Sequence, residues 1–114
     1  MAISANNINL GTIHPNEVHH FILPVFNSGE VDAEFSMGIS YLEGQQEHKV
    51  LPDWVTFDPQ TFTLAPFAKD WKQVAVQIKV KKGKDINNGA YFCFVEACHK
   101  GCSAIKLSFS LNKK

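Results

Sequence analysis

The apolar residues of this chain alternate with polar ones instead of recurring every three or four positions. Ile8 and Leu10 open a first short strand. Phe21, Leu23 and Val25 point one way in the next, with His20, Ile22, Pro24 and Phe26 on the opposite face. Phe35, Met37, Ile39 and Tyr41 alternate in a third, and Val74, Val76, Ile78 and Val80 do so against Gln73, Ala75, Gln77 and Lys79. Tyr91, Cys93, Val95 and Ala97 form the next set, followed by Ile105, Leu107, Phe109 and Leu111 against Lys106, Ser108 and Ser110. Turn residues separate these runs: Pro15-Asn16, Asn27-Ser28-Gly29, Pro52-Asp53, Asp58-Pro59, Asn87-Asn88-Gly89 and Gly101. Period two over short, evenly punctuated segments predicts an all-β sandwich or barrel, since each strand then offers one face to a core. No window of a dozen residues has the period of an amphipathic helix. The segment from Leu51 to Pro66 is less regular; Trp54–Phe57 and Phe62–Leu64 read as two short strands around the Asp58-Pro59 turn, in the edge or crossover positions that tolerate proline.

Composition narrows the class. With 114 residues the chain fits one domain, 1–114, and its 45% hydrophobic and 11% aromatic content is enough for a core. Eleven basic residues, all lysine, balance eleven acidic ones. Without a basic surplus or an arginine fork for phosphate and guanine, nucleic acid is not an expected partner. The longest apolar run, Phe21–Phe26, falls far short of the roughly 18–20 residues that span a bilayer, so no membrane insertion is expected. Residues 1–7 are small and polar rather than a basic-then-apolar leader, which fits a cytosolic protein or an excised mature domain.

The order of several short motifs carries a resemblance. Leu10–Glu17, Asn27-Ser28-Gly29, Trp54–Pro59, Phe62–Pro66, the Val74–Val80 alternation and Gly89-Ala90-Tyr91 follow one another along nearly the whole chain. This set resembles the immunoglobulin-like modules of archaeal and bacterial surface and secreted proteins. It is also similar to major-sperm-protein and abnormal-spindle-like domains, their intracellular relatives in architecture. The resemblance implies a two-sheet antiparallel sandwich of about seven strands, and a role in adhesion, as a spacer, as an intracellular scaffold, or as a carbohydrate-enzyme accessory module. Trp54 beside the Asp58-Pro59 turn favours the prokaryotic surface modules, and with them an extracellular or cell-surface home, with the cytoplasm as the alternative. Asn87–Cys93 echoes the tyrosine corner, in which a Tyr precedes an immunoglobulin Cys by two residues. No Cys precedes Cys93, so the antibody-type disulfide is excluded and Cys93 reads as a small core residue.

Candidate chemistry is sparse. Cys98 and Cys102 flank a three-residue turn whose last member, Gly101, suits the left-handed region. Facing each other across a ladder they are within reach of a disulfide, which would contribute about 2 kcal/mol for so small a loop. Two free thiols are the alternative. A metal site from Cys93, Cys98, His99 and Cys102 is disfavoured because alternation puts Cys93 on the face opposite Cys98. A copper site lacks a suitably placed Met. His14, His19 and His20 cluster near the first turn, but the adjacent pair points to opposite faces. Asp53, Asp58, Asp70 and Asp85 lie in turns, and Lys79, Lys81, Lys82 and Lys84 form a solvated run. No nucleophile–base pair or phosphate loop converges, so neither catalysis nor a cofactor is expected. If Tyr91, Cys93 and Val95 face inward, Phe92 and Phe94 face outward, with Ile22 and Phe26 a similar patch on the other sheet. Aromatic residues on a wet sheet face are unusual unless covered, and the alternatives are cover by Lys stems, loops or the 43–52 segment, or the opposite parity. These four residues are therefore the expected surface for a protein partner, an adjacent domain of the same chain, or a second copy.

Overall fold

The computed structural model describes residues 2–3, 7–45, 48–67, 71–81 and 86–113. Asp70, Asp85, Lys82 and Lys84 lie outside these residues. Among the described residues nine strands form two sheets: β1 (Ala2–Ile3), β2 (Ile8–Ile13), β3 (Val18–Phe26), β4 (Ala33–Ser40), β5 (Val55–Asp58), β6 (Thr61–Leu64), β7 (Trp71–Lys79), β8 (Gly89–Cys98) and β9 (Cys102–Leu111). The only helical element among the described residues is a single 3-10 turn, Pro52–Trp54. One sheet has the order β1-β3-β7-β5 and the other β2-β9-β8-β4-β6. This is the expected immunoglobulin-like sandwich. Its opening strand is divided between the two sheets, with β1 antiparallel to β3 and β2 parallel to β9.

Alternation places the core where period two predicts. Leu23 and Val25 of β3, Val74, Val76 and Ile78 of β7, and Phe35 and Met37 of β4 are buried, as are Tyr91, Cys93, Val95 and Ala97 of β8 and Ile105, Leu107, Phe109 and Leu111 of β9. At about 25 cal/mol per Å² of apolar surface removed from water, this shared interior is the main stabilising term of so small a domain. Trp54, 4% exposed, closes the core from the 3-10 turn with its ring 5.9 Å from that of Tyr91.

Local chemistry fixes the turns. The Tyr91 hydroxyl donates to the carbonyl of Asn87 (2.7 Å) and accepts from the Asn87 N–H (3.2 Å), which pins the loop before β8 as a tyrosine corner does. Asn27 is the one buried polar side chain among the described residues; its Nδ2 donates to the carbonyls of Val31 (2.8 Å) and Leu64 (3.0 Å), and its Oδ1 accepts from Gly29 N–H (3.0 Å). In β2 the pairing with β9 shifts register between Asn9 and Thr12, where Gly11 has φ 73° and donates its N–H to Asn9 Oδ1 (2.8 Å). Between β5 and β6 the chain leaves the four-stranded sheet and joins the five-stranded one at the cis Asp58-Pro59 bond. The proline-containing segment is thus a crossover between two edge strands, which combines the two placements that its prolines allow.

Candidate interaction surfaces

The outer face of the four-stranded sheet carries an apolar strip. On β3 the residues that alternate with the buried Leu23 and Val25 point outward: Ile22, Pro24 and Phe26. Their partners on β7 are Ala75, Gln73 and Trp71. Ile22 is 55% exposed and Trp71 48% exposed, and the half-buried Phe26 ring stacks on Trp71 at 6.0 Å and 18°. His20 and Gln77 continue the face, and charge enters only at its margins, with Lys79 at one end and Asp58 on β5. Trp71 completes this strip. The signal was available: extending the parity of Val74, Val76 and Ile78 back three residues puts Trp71 on the outward face with Gln73.

Phe92 and Phe94 lie on the outer face of the other sheet, across the sandwich from Ile22 and Phe26. Their rings meet edge to face at 6.2 Å. The Lys106 ammonium sits 4.8 Å from the centre of the Phe92 ring. Where β4 ends, Lys49 takes its place beside Phe92 as an isolated parallel bridge, and Gln45 Nε2 donates to the Phe92 carbonyl at 3.3 Å. Both rings are half-buried under these neighbours. The four expected residues therefore form two patches on opposite faces, and the more open one is on the four-stranded sheet.

The hairpin tip between β8 and β9 holds a disulfide joining Cys98 and Cys102, whose Cα atoms are 4.1 Å apart. The left-handed glycine expected there is absent: Gly101 keeps an ordinary backbone, and the reversal is closed instead by the His99 N–H donating to the Gly101 carbonyl at 2.9 Å. The tip docks on β4 through His99, with Nδ1 3.1 Å from the Glu34 carbonyl and the ring 6.0 Å from that of Phe35. Glu96, Cys98 and Cys102 bring three ligand-type atoms within 4.8 Å, but a disulfide sulfur has no thiolate to offer a metal. Cys93 lies inside the core, and burial pushes its thiol up to about 12.

The other polar residues singled out in the sequence do not converge on one site among the described residues. His14 Nδ1 lies 2.8 Å from the Asn112 carbonyl, and the His14 N–H donates to Glu17 Oε1 at 2.7 Å, which holds the Glu17 carboxyl below its usual range. His19 Nε2 stands 3.4 Å from the same Glu17 oxygen. His20 belongs to the outward row of β3, away from both. Asp53 opens the 3-10 turn, Asp58 ends β5, and Lys79 and Lys81 are exposed. No helix of the described residues is long and apolar enough to cross a membrane.

Comparison with known proteins places the fold. No family model and no curated protein sequence matches the chain. Among solved structures it is similar to the Escherichia coli chaperone DraB, with a TM-score of 0.64 at 12% identity over 96% of this chain and 54% of DraB. It is similar to part of a family 123 glycoside hydrolase from Clostridium perfringens, with a TM-score of 0.65 at 8% identity over 96% of this chain and 23% of the enzyme. The PapD-like domain 7 of human CEP192, an ASH domain, has a TM-score of 0.56 at 15% identity over 98% of this chain and 86% of that one. The chain thus spans about half the length of the chaperone and under a quarter of the hydrolase. The fold is an immunoglobulin-like sandwich, and it occurs in proteins of unlike activity.

Proposed function

We propose that this domain is a non-catalytic interaction module of a larger extracellular or cell-surface protein, meeting a protein partner or a neighbouring domain. The carrying observation is the strip formed by Ile22, Phe26 and Trp71, with two large apolar side chains about half exposed on a nearly uncharged sheet face. Such a strip amounts to roughly a few hundred Å², the size of patch that marks contact surfaces on soluble domains. It is smaller than the ~800 Å² per side of a stable complex between separate proteins, and suits a contact between domains of one chain. The dimensions of 48 × 28 × 21 Å suit a spacer. The disulfide favours an oxidising compartment. A non-catalytic role is supported by the scatter of the carboxylates and histidines and by the burial of Cys93, which holds its thiol protonated at neutral pH. Phe92 and Phe94 form a second, more covered contact in this reading.

Trp71 also favours one alternative, a carbohydrate-stacking site, because its ring is half exposed whereas Trp54 is buried. Cross-linking of the full-length protein in its native setting separates the two. Lys79 and Lys72 flank the proposed face, and Lys49 and Lys106 flank the opposite one. Cross-links from Lys72 and Lys79 to another domain or protein are expected, and their loss in Ile22→Ser/Trp71→Ser with an unchanged melting temperature. Cross-links confined to Lys49 and Lys106 would overturn the assignment. Quenching of Trp71 fluorescence by oligosaccharides, without such cross-links, would establish the carbohydrate reading.

A further inference from the structure

A second site lies at the edge of the five-stranded sheet, away from both outer faces. In β4, the Met37 N–H donates to the Gln60 carbonyl at 2.8 Å, and Phe35 pairs with Phe62. Odd-numbered residues of β4 therefore turn their backbone groups toward β6, and even-numbered ones (Ser36, Gly38, Ser40) toward β8. By this parity Ile39 presents its N–H and C=O on the β6 side. There, however, the neighbouring chain has already crossed to the other sheet, where Asp58 pairs with Ala75. The Ile39 backbone meets no partner among the described residues, and beside it opens a groove of about 380 Å³ lined by Gly38, Ile39, Pro52, Val55, Thr56, Phe57 and Gln60. No charged side chain lines it.

Sheet edges are usually guarded by lysine, proline or a bulge, because open N–H and C=O groups template a further strand. Met37–Ser40 carries none of these devices, and its register with β8 is regular. The inner side chains that border the groove, Ile39 and Phe57, are only partly buried against the core. An unpaired main-chain donor and acceptor on a strand edge, next to an uncharged cleft between two sheets, is the arrangement that accepts an added β-strand, with the backbone giving affinity and the cleft selecting a side chain.

We propose that the Ile39 edge of β4 binds an extended, uncharged peptide segment of a partner protein, which pairs with the Ile39 backbone and places one aliphatic side chain between β4 and β5. The segment is extended because only an extended chain presents N–H and C=O at ladder spacing. An aliphatic side chain suits the cleft because Ile39, Pro52, Val55 and Phe57 form most of its wall. The segment is short, because one ladder position is open before the chain turns at Tyr41.

The test is titration of the isotope-labelled protein with a capped hexapeptide of alternating threonine and valine, against a control with serine in place of each valine. Expected are amide shifts centred on 37–41 and added exchange protection of the Ile39 N–H. Binding should weaken at least tenfold with the serine control and in Ile39→Pro, which removes the donor at an edge position where proline is tolerated. Gln60→Trp, which fills the groove from its exposed wall, should weaken binding equally and serves if Ile39→Pro does not fold. Absence of shifts at millimolar peptide would overturn the proposal, as would shifts centred on Ile22 and Trp71. A change at Ile39 that depends on protein concentration without peptide would also overturn it, by showing the edge to be occupied by a second copy.

Discussion

At the scale of single residues, Asn27 shows how a buried polar group specifies a structure. Its amide satisfies three backbone groups at once: the carbonyls of Val31 and Leu64 and the N–H of Gly29. It thereby ties the turn after β3 to the end of β6, two segments 37 residues apart. In sequence Asn27-Ser28-Gly29 reads only as a turn, because nothing local reveals that the side chain is sealed under Leu64. Truncation would leave these groups in an apolar surround, at about 1–3 kcal/mol for each buried group left unsatisfied. Asn27→Ala should therefore cost about 2–4 kcal/mol in urea denaturation, whereas Glu30→Ala, at an exposed position of the same turn, should change stability little. Equal effects of the two would show that the turn itself, and not the bridge to β6, is what matters. Trp54 is the contrasting case: this large apolar residue close to the Asp58-Pro59 turn is buried, its ring 5.9 Å from that of Tyr91.

At the scale of elements, alternation was a faithful guide wherever a strand has one wet face. It placed the inward rows of β3, β7, β8 and β9 and the outward Phe92, Phe94, Ile22 and Phe26. It could not show that β5 and β6 belong to different sheets, because each pairs with a distant strand, β7 or β4. The neighbours of Phe92 are Lys106 and, from the 43–52 segment, Gln45 and Lys49, the alternative of Lys stems or that segment as cover, which alternation alone does not place. The β8–β9 hairpin shows local geometry and spacing agreeing on pairing yet differing on turn type, since Gly101 is not left-handed. Reducing its disulfide releases a loop of only a few residues, so Cys98→Ser/Cys102→Ser should lower stability by about 2 kcal/mol in the chain-entropy estimate. The same loss should appear on adding dithiothreitol to the unmodified chain, and no further loss on adding it to the variant. Full unfolding on reduction would mean that the tip, docked on Glu34 and Phe35 through His99, anchors β4 as well.

At the scale of the whole molecule, the two sheets share one interior, and Cys93 reports on it. It lies at the middle of β8 in the five-stranded sheet, opposite Leu107, with no exposed surface. Burial disfavours the thiolate and raises the thiol from an ordinary 9.0 to about 12. Between these two values the folded chain holds a proton that the unfolded chain has released, so stability must fall as pH rises through that window. The slope is at most about 1.4 kcal/mol per pH unit for one proton. Below pH 9 the group contributes no pH dependence, because the thiol is protonated in both states. Cys93→Ala removes this part of the slope at the cost of a small cavity, so unmodified protein and variant should converge in urea midpoint as pH is raised from 8 to 11. Without reductant, iodoacetamide at pH 8 should label one cysteine per chain, at a rate set by opening of the core and rising with urea in step with the loss of the β circular-dichroism signal. Labelling that precedes that loss would show β8 separating from the sandwich while the rest stays folded. The domain would then open in parts, with β4, bonded to β8 along Ser36–Ser40, the first edge released.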